Sequence, residues 1–354
     1  MVQIMETVAR EILCDADDPY YSSFSEALLK HSRENALELI EMRKLGPESL
    51  VVELASNDGY LLKNFVEKGI PVQGIDPAPG PAAAAEKIGV PTRVTFFTEA
   101  LAEELCGEGT KADVIIGNNV LAQVADTNGF VRGIAKLLQD DGVAVMEVPY
   151  LRDLIDHTEF DTIYHEHLCY LSVTALDNLF QRHGLWLNDI RRLSIHGGSL
   201  RLYVEPTKKA RPNVDALLDE ERKLGMTGAE YYAEFGQHVA SLLEQVREII
   251  QGVKADGKRV AAYGAAAKGA IMLNALGLNA STYEFVVDRN VHKQGKYMPG
   301  VHVPILDPAE LLKRMPDYTL ILPWNFRDEI LEQQAEYRKK GGQFIVPIPK
   351  PEIV

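Results

Sequence analysis

The chain has 354 residues, enough for two ordinary domains, and its net charge is −14. Hydrophobic residues make up 46% of the chain and charged residues 25%, which is typical of a globular protein. The acidic balance argues against a nucleic-acid-binding face. No apolar run reaches the ~18–20 residues that a membrane-spanning helix needs, so we expect no membrane partner.

Cysteine content and the N-terminal sequence indicate a reducing compartment. The three cysteines are scattered and form no C-x-x-C pair, which argues against a disulfide framework and a structural zinc site. The first residues, MVQIMETVAREILCDADD, lack the basic stretch and the apolar core of a secretory signal. We therefore expect a cytoplasmic protein.

Strand-like and helical stretches alternate through the first two hundred residues. A helix is predicted over residues 19–45, and strands are predicted at 51–55, 71–76, 94–97, 112–120 and 143–149. Helices between these strands, one of them starting at Tyr60, give the βαβ alternation of a parallel sheet covered on both faces. Residues 186–194 and 199–205 predict a hairpin that completes the sheet.

The last third of the chain shows a second alternation. Apolar residues at helical spacing predict an amphipathic helix within residues 228–253. Further strands are predicted at 259–265, 283–288, 318–325 and 342–349. We therefore expect an α/β protein with two Rossmann-like lobes. The expected segments are an N-terminal helical segment (1–48), a cofactor-binding domain (49–206), a helical connector (207–256) and a substrate-binding domain (257–354).

The loop after the first strand, in VVELASNDGYLL, predicts a cofactor site. Only Gly59 is present, so the dinucleotide fingerprint G-x-G-x-x-G is absent. Glu53 lies near the end of this strand and Asp76 ends the next, where an acid can hydrogen-bond ribose hydroxyls. An acid in this loop would repel a pyrophosphate, but it suits the sulfonium and ammonium groups of S-adenosylmethionine. The alternative is that Ser56, Asn57 and Asp58 only cap the following helix.

Polar residues at the end of the fourth strand extend this predicted site. The stretch GNNVLAQV places Asn118 and Asn119 where such folds contact the adenine and the methyl-donor end of the cofactor. The candidate residues for binding S-adenosylmethionine are Glu53, Ser56, Asn57, Gly59, Asp76, Asn118 and Asn119.

A second glycine loop, in AAYGAAAKGAIMLNALGL, opens the second lobe. Its small residues let the backbone approach a ligand, and Lys268 at the start of the next helix favours phosphate. The spacing is not that of a Walker A motif. Further on, VVDRNVHKQGKYMPG gathers four basic residues within eight positions. Together these features predict a phosphate-bearing substrate, and the alternative for the basic stretch is a solvated loop.

The stretch DTIYHEHLCYLS follows the fifth predicted strand and carries the candidate chemistry. Its two histidines are spaced i, i+2, whereas a catalytic zinc takes three protein ligands and the H-E-x-x-H motif is absent, which disfavours a metal. A histidine suits proton abstraction next to a carbonyl. Tyr164 could stabilise the enolate oxygen, and Glu166 could orient a histidine. The alternative is a polar turn without chemistry.

The chain resembles the sugar C-methyltransferases of deoxysugar pathways, which methylate C3 of nucleotide-linked 4-ketosugars. The matching stretches, in the family's order, include VVELASNDGYLL, GIDPAPG, EVPYLRDLIDHTEFDTIYHEHLCYLS, HGGSLRLYV, YGAAAKG, VVDRNVHKQGKYMPG and LPWNFRDEI. The resemblance implies a class I methyltransferase lobe that uses S-adenosylmethionine and a second lobe for the sugar nucleotide. It implies His167 as the general base, Tyr164 as the group that stabilises the C4 enolate oxygen, and Glu166 in support. His165 would be the non-catalytic histidine.

Two departures from the family pattern bear on the substrate. The family's N-terminal zinc module with four cysteines is not matched, and Gln123 stands where relatives commonly carry a histidine. An O- or N-methyltransferase on another small metabolite therefore stays an alternative. A second alternative is an NAD(P)-dependent oxidoreductase, because Asp288 ends a strand 24 positions after Gly264 in the second lobe. The candidate substrate-binding residues are Tyr21, Gln123, His196, Ser199, Arg201, Tyr263, Lys268 and Asn325, with Tyr20 beside the first of them.

Overall fold

The computed structural model describes residues 1–9, 21–278 and 280–354. Cys14 and Tyr20 therefore lie outside the described residues, as do the first two positions of the predicted N-terminal helix. No helix in the described ranges is both long enough and apolar enough to cross a bilayer.

The described chain divides into two compact units, each with its own sheet and hydrophobic core. The first unit comprises Met1–Leu151, His165–Ser194 and Gly198–Thr227. The second unit comprises Arg152–Tyr164, Ile195–Gly197 and Gly228–Val354. The boundaries expected from the sequence, at residues 206 and 256, do not coincide with this division.

The first unit is built on a largely parallel sheet. Its strands are β1 (Val2–Gln3), β2 (Val51–Leu54), β3 (Val72–Asp76), β4 (Thr92–Val94), β5 (Ala112–Asn118), β6 (Leu138–Pro149), β7 (Cys169–Tyr170), β8 (Trp186–Leu193) and β9 (Ser199–Glu205). Seven of them form one sheet in the order β4-β3-β2-β5-β6-β9-β8, and β1 pairs antiparallel with β7. The first five strands in this order are parallel, β9 pairs antiparallel with β6, and β8 pairs antiparallel with β9. The predicted sheet and its closing hairpin are therefore confirmed.

The edge strand β4 differs from the prediction. It covers Thr92–Val94 and not residues 94–97. Phe97 leaves the sheet edge and packs its ring edge-on against Phe130, with 5.3 Å between the ring centroids. An apolar run at a sheet edge can thus end as packing against a helix, which the local pattern does not distinguish from a strand.

Helices cover the faces of the first sheet. The helices up to residue 224 are α1 (Glu26–Arg43), α2 (Lys63–Val66), α3 (Pro79–Lys87), α4 (Glu99–Gly107), α5 (Thr127–Leu137), α6 (Leu151–Asp156), α7 (Val173–Arg182) and α8 (Pro212–Leu224). Ser25, Thr98, Asp126 and Ser172 each accept a backbone N–H of the first turn, which fixes where α1, α4, α5 and α7 begin. The predicted helix from Tyr60 shortens to α2.

Buried polar contacts explain the division of the predicted connector. Glu221 of α8 is fully buried and accepts the backbone N–H groups of Val173 and Thr174 at 2.6 and 2.8 Å. It therefore caps α7 and ties residues up to Thr227 to the first unit. Conversely, Phe160 packs into the hydrophobic core of the second unit, so the segment Arg152–Tyr164 belongs to that unit.

The second unit is a smaller Rossmann-like layer. Its strands are β10 (Val260–Tyr263), β11 (Val286–Val287), β12 (Ile305–Leu306), β13 (Tyr318–Ile321), β14 (Gln343–Val346) and β15 (Glu352–Ile353). They are ordered β12-β11-β10-β13-β14-β15, all parallel except β15. Its helices are α9 (Phe235–Ala255), α10 (Ala267–Leu276), α11 (Ala309–Arg314), α12 (Arg327–Gln333) and α13 (Ala335–Lys339). The predicted second α/β lobe is confirmed.

Candidate active site

The loop after β2 has an unusual backbone. Ala55, Asn57 and Gly59 have φ angles of 59°, 48° and 76°, in the left-handed region that residues other than glycine rarely adopt. A Cβ at Gly59 would also lie 3.1 Å from a methyl group of Val90. Strain of this kind costs about 1–3 kcal/mol for each non-glycine residue and is typical of ligand-binding sites. The loop therefore has the geometry of a binding loop as well as that of a helix start.

Three carboxylates meet at this loop. Glu53 is 1% exposed in the otherwise apolar strand β2, and Asp58 and Asp76 are also buried. Burial, and then the charges of Asp76 and Asp58, raise the pKa of Glu53 well above its ordinary value. Buried carboxylates are costly unless a cation or hydrogen-bond donors compensate them. A positively charged ligand would supply that compensation.

Several buried acceptors at the carboxyl ends of the strands lack a partner. Among the described residues, no hydrogen bond reaches Glu53 Oε2, Ser56 Oγ, Asp58 Oδ1, Asn118 Oδ1 or Asn119 Oδ1. These atoms lie at or just after the carboxyl ends of β2 and β5, on the side of a parallel sheet where ligands bind. Donors of a ligand would satisfy them. The ammonium, adenine amino and ribose hydroxyl groups of S-adenosylmethionine are such donors, and its sulfonium is cationic, so the residues present fit this cofactor.

A chain of hydrogen bonds ties this loop to the segment before α1. Asp76 accepts the backbone N–H of Asn57 and of Ala78, each at 2.8 Å. The Asn57 side chain in turn accepts the N–H of Ser22 at 2.9 Å, and Asp58 accepts the N–H of Ser23 at 3.1 Å. These contacts position the turn that directly follows half-buried Tyr21, one of the predicted substrate-binding residues.

The Tyr-His-Glu-His stretch lies where the two units divide. Tyr164 belongs to the second unit, whereas His165, Glu166 and His167 belong to the first. His165 is exposed and lies in a turn with Glu166, while the other three side chains are half-buried. The backbone N–H of Ile4 donates to the carbonyl of Leu168 at 3.1 Å, directly after His167. Within the ranges described, no three His, Cys, Asp or Glu side chains are grouped to hold a metal ion.

The structure gives predicted substrate residue Arg201 an internal partner. Its guanidinium lies 2.7 Å from buried Glu147, and the ring nitrogen Nε2 of His31 lies 2.9 Å from the same carboxylate. Burial alone would raise the pKa of Glu147, but His31 and Arg201 outweigh it and lower that pKa. Arg201 and Glu147 pair across strands β9 and β6, and the N–H of Asn119 donates to the Glu147 carbonyl.

His31 and Glu147 were not predicted from the sequence. The only local signal was a glutamate inside the apolar stretch VAVMEVP, and nothing in the sequence connects it to a histidine 116 positions earlier. Of the remaining candidates in the first unit, Ser199 is fully buried at the start of β9, and Gln123 is exposed in the turn after β5. The substrate roles of these residues stay predictions.

Lys268 and Asn325 are brought together in the second unit. Lys268 Nζ lies 3.1 Å from Asn325 Oδ1 and 4.4 Å from the centre of the Trp324 ring. The indole N–H of Trp324 donates to Asp161 at 2.8 Å. Burial lowers the pKa of Lys268, against the charges of Asp161 and Glu159, and burial raises the pKa of Asp161 to about 6.

The other predicted features of the second lobe are anchored internally. Lys293 of the basic stretch donates to the carbonyl of Ala265 at 2.9 Å, and Arg289 lies 3.3 Å from Glu329. Asp288 accepts the N–H groups of Ala265 and Asn290 at 2.6 and 2.7 Å. Separately, Tyr263 is buried at the end of β10, and the side chain of His196 lies outside the description.

Comparison with known proteins agrees with this geometry. Residues 27–188 match the family described as methyltransferase domain, and residues 194–349 match the C-methyltransferase C-terminal domain. The chain is 38% identical to C-methyltransferase NovU of Streptomyces niveus over 338 residues, which is 95% of this chain and 80% of that protein. It is 25% identical over 122 residues to a ubiquinone biosynthesis O-methyltransferase of Azorhizobium caulinodans, covering 34% of this chain and 47% of that protein.

Among solved structures, magnesium protoporphyrin IX methyltransferase of Synechocystis PCC 6803 with bound SAM aligns with a TM-score of 0.40 and 14% identity, over 51% of this chain and 79% of that one. The family assignment rests on the sequence matches. The acid-lined loop of the first unit and the matched methyltransferase domain define an S-adenosylmethionine-dependent methyltransferase. The nearly full-length relative further shows that the chain belongs to the C-methyltransferase family. This assignment favours C-methylation over the O- or N-methylation and oxidoreductase alternatives.

Proposed function

We propose that this enzyme methylates C3 of a nucleotide-linked 4-ketosugar, in natural-product or surface-glycan biosynthesis. The observation that carries the proposal is the 38% identity to a C-methyltransferase over 95% of the chain. The sugar substrate is supported by the resemblance of the Tyr-His-Glu-His stretch and of YGAAAKG to sugar C-methyltransferases. A carbon next to a ketone is acidic enough for a histidine to deprotonate it when the enolate oxygen is stabilised.

The proposed roles follow from the resemblance of this motif to the sugar C-methyltransferases. His167, which is half-buried, is the general base that removes the C3 proton. Tyr164 donates its hydroxyl hydrogen bond to the C4 oxygen as negative charge develops there. Glu166 supports the histidine. His165, which is exposed, has no role in this scheme.

The proposed cofactor residues are the acids and unpartnered acceptors of the first unit. S-adenosylmethionine supplies a methyl group on a positively charged sulfur, which a carbon nucleophile can attack. Glu53 offsets the cationic charge, and Asp76 accepts from the ribose hydroxyls. Asn118 and Asn119 accept from the adenine and methionine ends, while Ser56 and Gly59 shape the loop. Binding both reactants in line contributes several kcal/mol to the rate enhancement, of the roughly 7–11 kcal/mol available from orientation.

Tyr21 and Gln123 are the proposed substrate contacts of the first unit. The hydrogen bonds of Ser22 and Ser23 to the cofactor loop support a role for the adjacent Tyr21. Gln123 is exposed and can hydrogen-bond a sugar hydroxyl, but an amide cannot accept the C3 proton. Proton removal in this scheme therefore depends on His167.

Deuterium exchange at carbon tests the proposal. The protein with S-adenosylhomocysteine is incubated with nucleotide-linked ketosugars in deuterated buffer, and the substrate mass is followed. We expect a one-deuteron gain with the wild type and with the His165→Ala control. In His167→Ala, exchange falls by a factor of about 10²–10⁴, the usual contribution of a general base. S-adenosylhomocysteine binding, measured separately by calorimetry, is expected to be equal in all three proteins. Methyl transfer without any exchange at carbon, or a fully active His167→Ala, would refute this assignment.

A further inference from the structure

The segment that leads to Tyr164 is held by a polar cluster within the second unit. The cluster consists of Glu159, Asp161, Lys268 and Trp324. Trp324 donates its indole N–H to Asp161 Oδ2 at 2.8 Å, and both side chains are buried. The Lys268 ammonium group lies over the Trp324 ring at 4.4 Å. The turn after β13 thus contacts, through Trp324, a carboxylate three residues before Tyr164, and Lys268 at the start of α10 packs on the same Trp324 ring.

Close packing at Gly197 leaves the segment that leads to Tyr164 little freedom. Gly197 has a φ of 92°, and a Cβ there would lie 2.6 Å both from Glu159 Oε1 and from the Trp324 ring. Glu159 also lies 3.0 Å from the ring nitrogen Nδ1 of His157. Within the segment, the Thr162 hydroxyl donates to the Glu159 carbonyl at 2.8 Å. Only glycine fits at position 197, because any side chain would displace the cluster.

The charges of the cluster do not suit a phosphate. The charges of two carboxylates, Asp161 and Glu159, act on the single ammonium group of Lys268. A bound phosphate would add negative charge beside two buried acids, one of them hydrogen-bonded to Trp324. The Gly-rich loop and its lysine resemble a phosphate site in sequence, but in the structure Lys268 contacts Asn325 and the Trp324 ring, and the charges of Asp161 and Glu159 already act on it.

We propose that Lys268, Trp324 and Asp161 are positioning residues for Tyr164. The indole N–H of Trp324 holds Asp161 in place, and Lys268 holds the Trp324 ring and attracts Asp161 by its charge. Together these contacts fix the backbone that carries Tyr164. The inference rests on the proposed role of Tyr164 in C-methylation, and it replaces the sequence-based assignment of Lys268 as a substrate ligand. Losing the charge of Lys268 or the N–H of Trp324 leaves the buried carboxylate of Asp161 less compensated, and this loosens the segment that leads to Tyr164.

Amide hydrogen exchange of residues 157–164 tests the inference without a substrate. The variants are Trp324→Phe, which removes the N–H donor and keeps an aromatic ring, and Lys268→Met, which keeps the length of the side chain. Trp186→Phe is the matched control, because Trp186 is the only other tryptophan of the chain and lies in the first unit. We expect exchange in this segment to rise about 2-fold to 10-fold in Trp324→Phe, the loss of one net hydrogen bond, and more in Lys268→Met. Unchanged exchange in both variants would overturn the proposal.

Kinetics then distinguish positioning from substrate binding. Positioning predicts a lower kcat with little change in KM, and no additive loss when Tyr164→Phe is combined with Trp324→Phe. A phosphate ligand predicts a higher KM in Lys268→Met, a normal kcat and additive losses, and that result would refute the inference. If exchange rises as expected but the wild type methylates no nucleotide-linked ketosugar, the proposed substrate fails and the positioning of the segment stands. Trp324→Phe keeps the test valid if Lys268→Met does not fold.

Discussion

The side-chain oxygen of Asn57 accepts a hydrogen bond from the backbone N–H of Ser22, 35 residues earlier in the chain, at 2.9 Å. The N–H of Asn57 itself donates to Asp76. A single residue in a left-handed conformation therefore connects a predicted cofactor acid to the segment that carries Tyr21. This relationship gives Asn57 a role in loop geometry in addition to the cofactor contact predicted from the sequence.

Replacing Ser22 by proline removes this donor with little other change. Tyr21 has φ −125° and ψ 119°, the extended conformation that a residue before proline prefers, and Ser22 begins a short helical turn. We expect Ser22→Pro to weaken S-adenosylhomocysteine binding about 2-fold to 10-fold, the effect of one net hydrogen bond. Calorimetry measures it, with Ser22→Ala as the control that keeps the N–H. Equal affinity in the two variants would show that the contact does not support the cofactor loop.

Glu53 is expected to lose a proton when a cationic cofactor binds. Burial, with Asp76 and Asp58, raises the pKa of Glu53, and a nearby positive charge lowers it again. Calorimetry of S-adenosylmethionine binding in buffers of different ionisation enthalpy should detect proton release in the wild type and less in Glu53→Gln. Affinity should fall about 10-fold to 100-fold in the variant, as for a lost charged hydrogen bond. Identical proton release in both proteins would contradict the role of Glu53.

Arg201 is expected to contribute to stability. Arg201→Met removes the guanidinium partner of buried Glu147 but leaves His31 beside it, so we expect a loss of about 1.5–3 kcal/mol of unfolding free energy, as for one hydrogen bond to a charged group. Urea unfolding measures this change. Arg33→Met is the matched control, because the Arg33–Glu67 pair is half-exposed and should change stability little. If Arg201→Met were as stable as this control and only raised the KM for substrate, Arg201 would be a substrate ligand, as the sequence predicts.

Asp161 should make stability depend on pH. Its pKa in the folded protein is about 6, above the ordinary value of 3.8, because the carboxyl group is buried. Between these values the folded protein keeps a proton that the unfolded chain has lost, so the unfolding free energy falls as pH rises from about 4 to 6. The difference between these two pKa values corresponds to about 3 kcal/mol of unfolding free energy. Asp161→Asn removes this contribution, so wild-type stability relative to the variant should fall across that range in denaturant titrations. A constant difference would contradict the raised pKa.

Much of the fold followed from local patterns. Buried β-strands such as Val51–Leu54 and helices such as Phe235–Ala255 have periodicities that short segments carry by themselves. The unit boundaries did not follow, because they depend on single buried contacts. Glu221 caps the helix that begins at Val173, 48 positions earlier along the chain, and Phe160 packs into the core of the second unit. A short stretch of sequence does not predict such contacts between residues that lie far apart in the chain.

The candidate site was likewise predictable from the sequence only in part. The sequence by itself predicted the acid-bearing loop with Glu53 and Asp76, and the Tyr-His-Glu-His stretch, because residue types and spacing indicate the chemistry that a cationic cofactor and a proton transfer need. Only the tertiary structure decided the surroundings of the predicted cations. Arg201 pairs with Glu147, and the charges of Asp161 and Glu159 act on Lys268. The physical reason is that the effect of a charge depends on which charges lie within a few ångströms, and those neighbours come from distant parts of the chain.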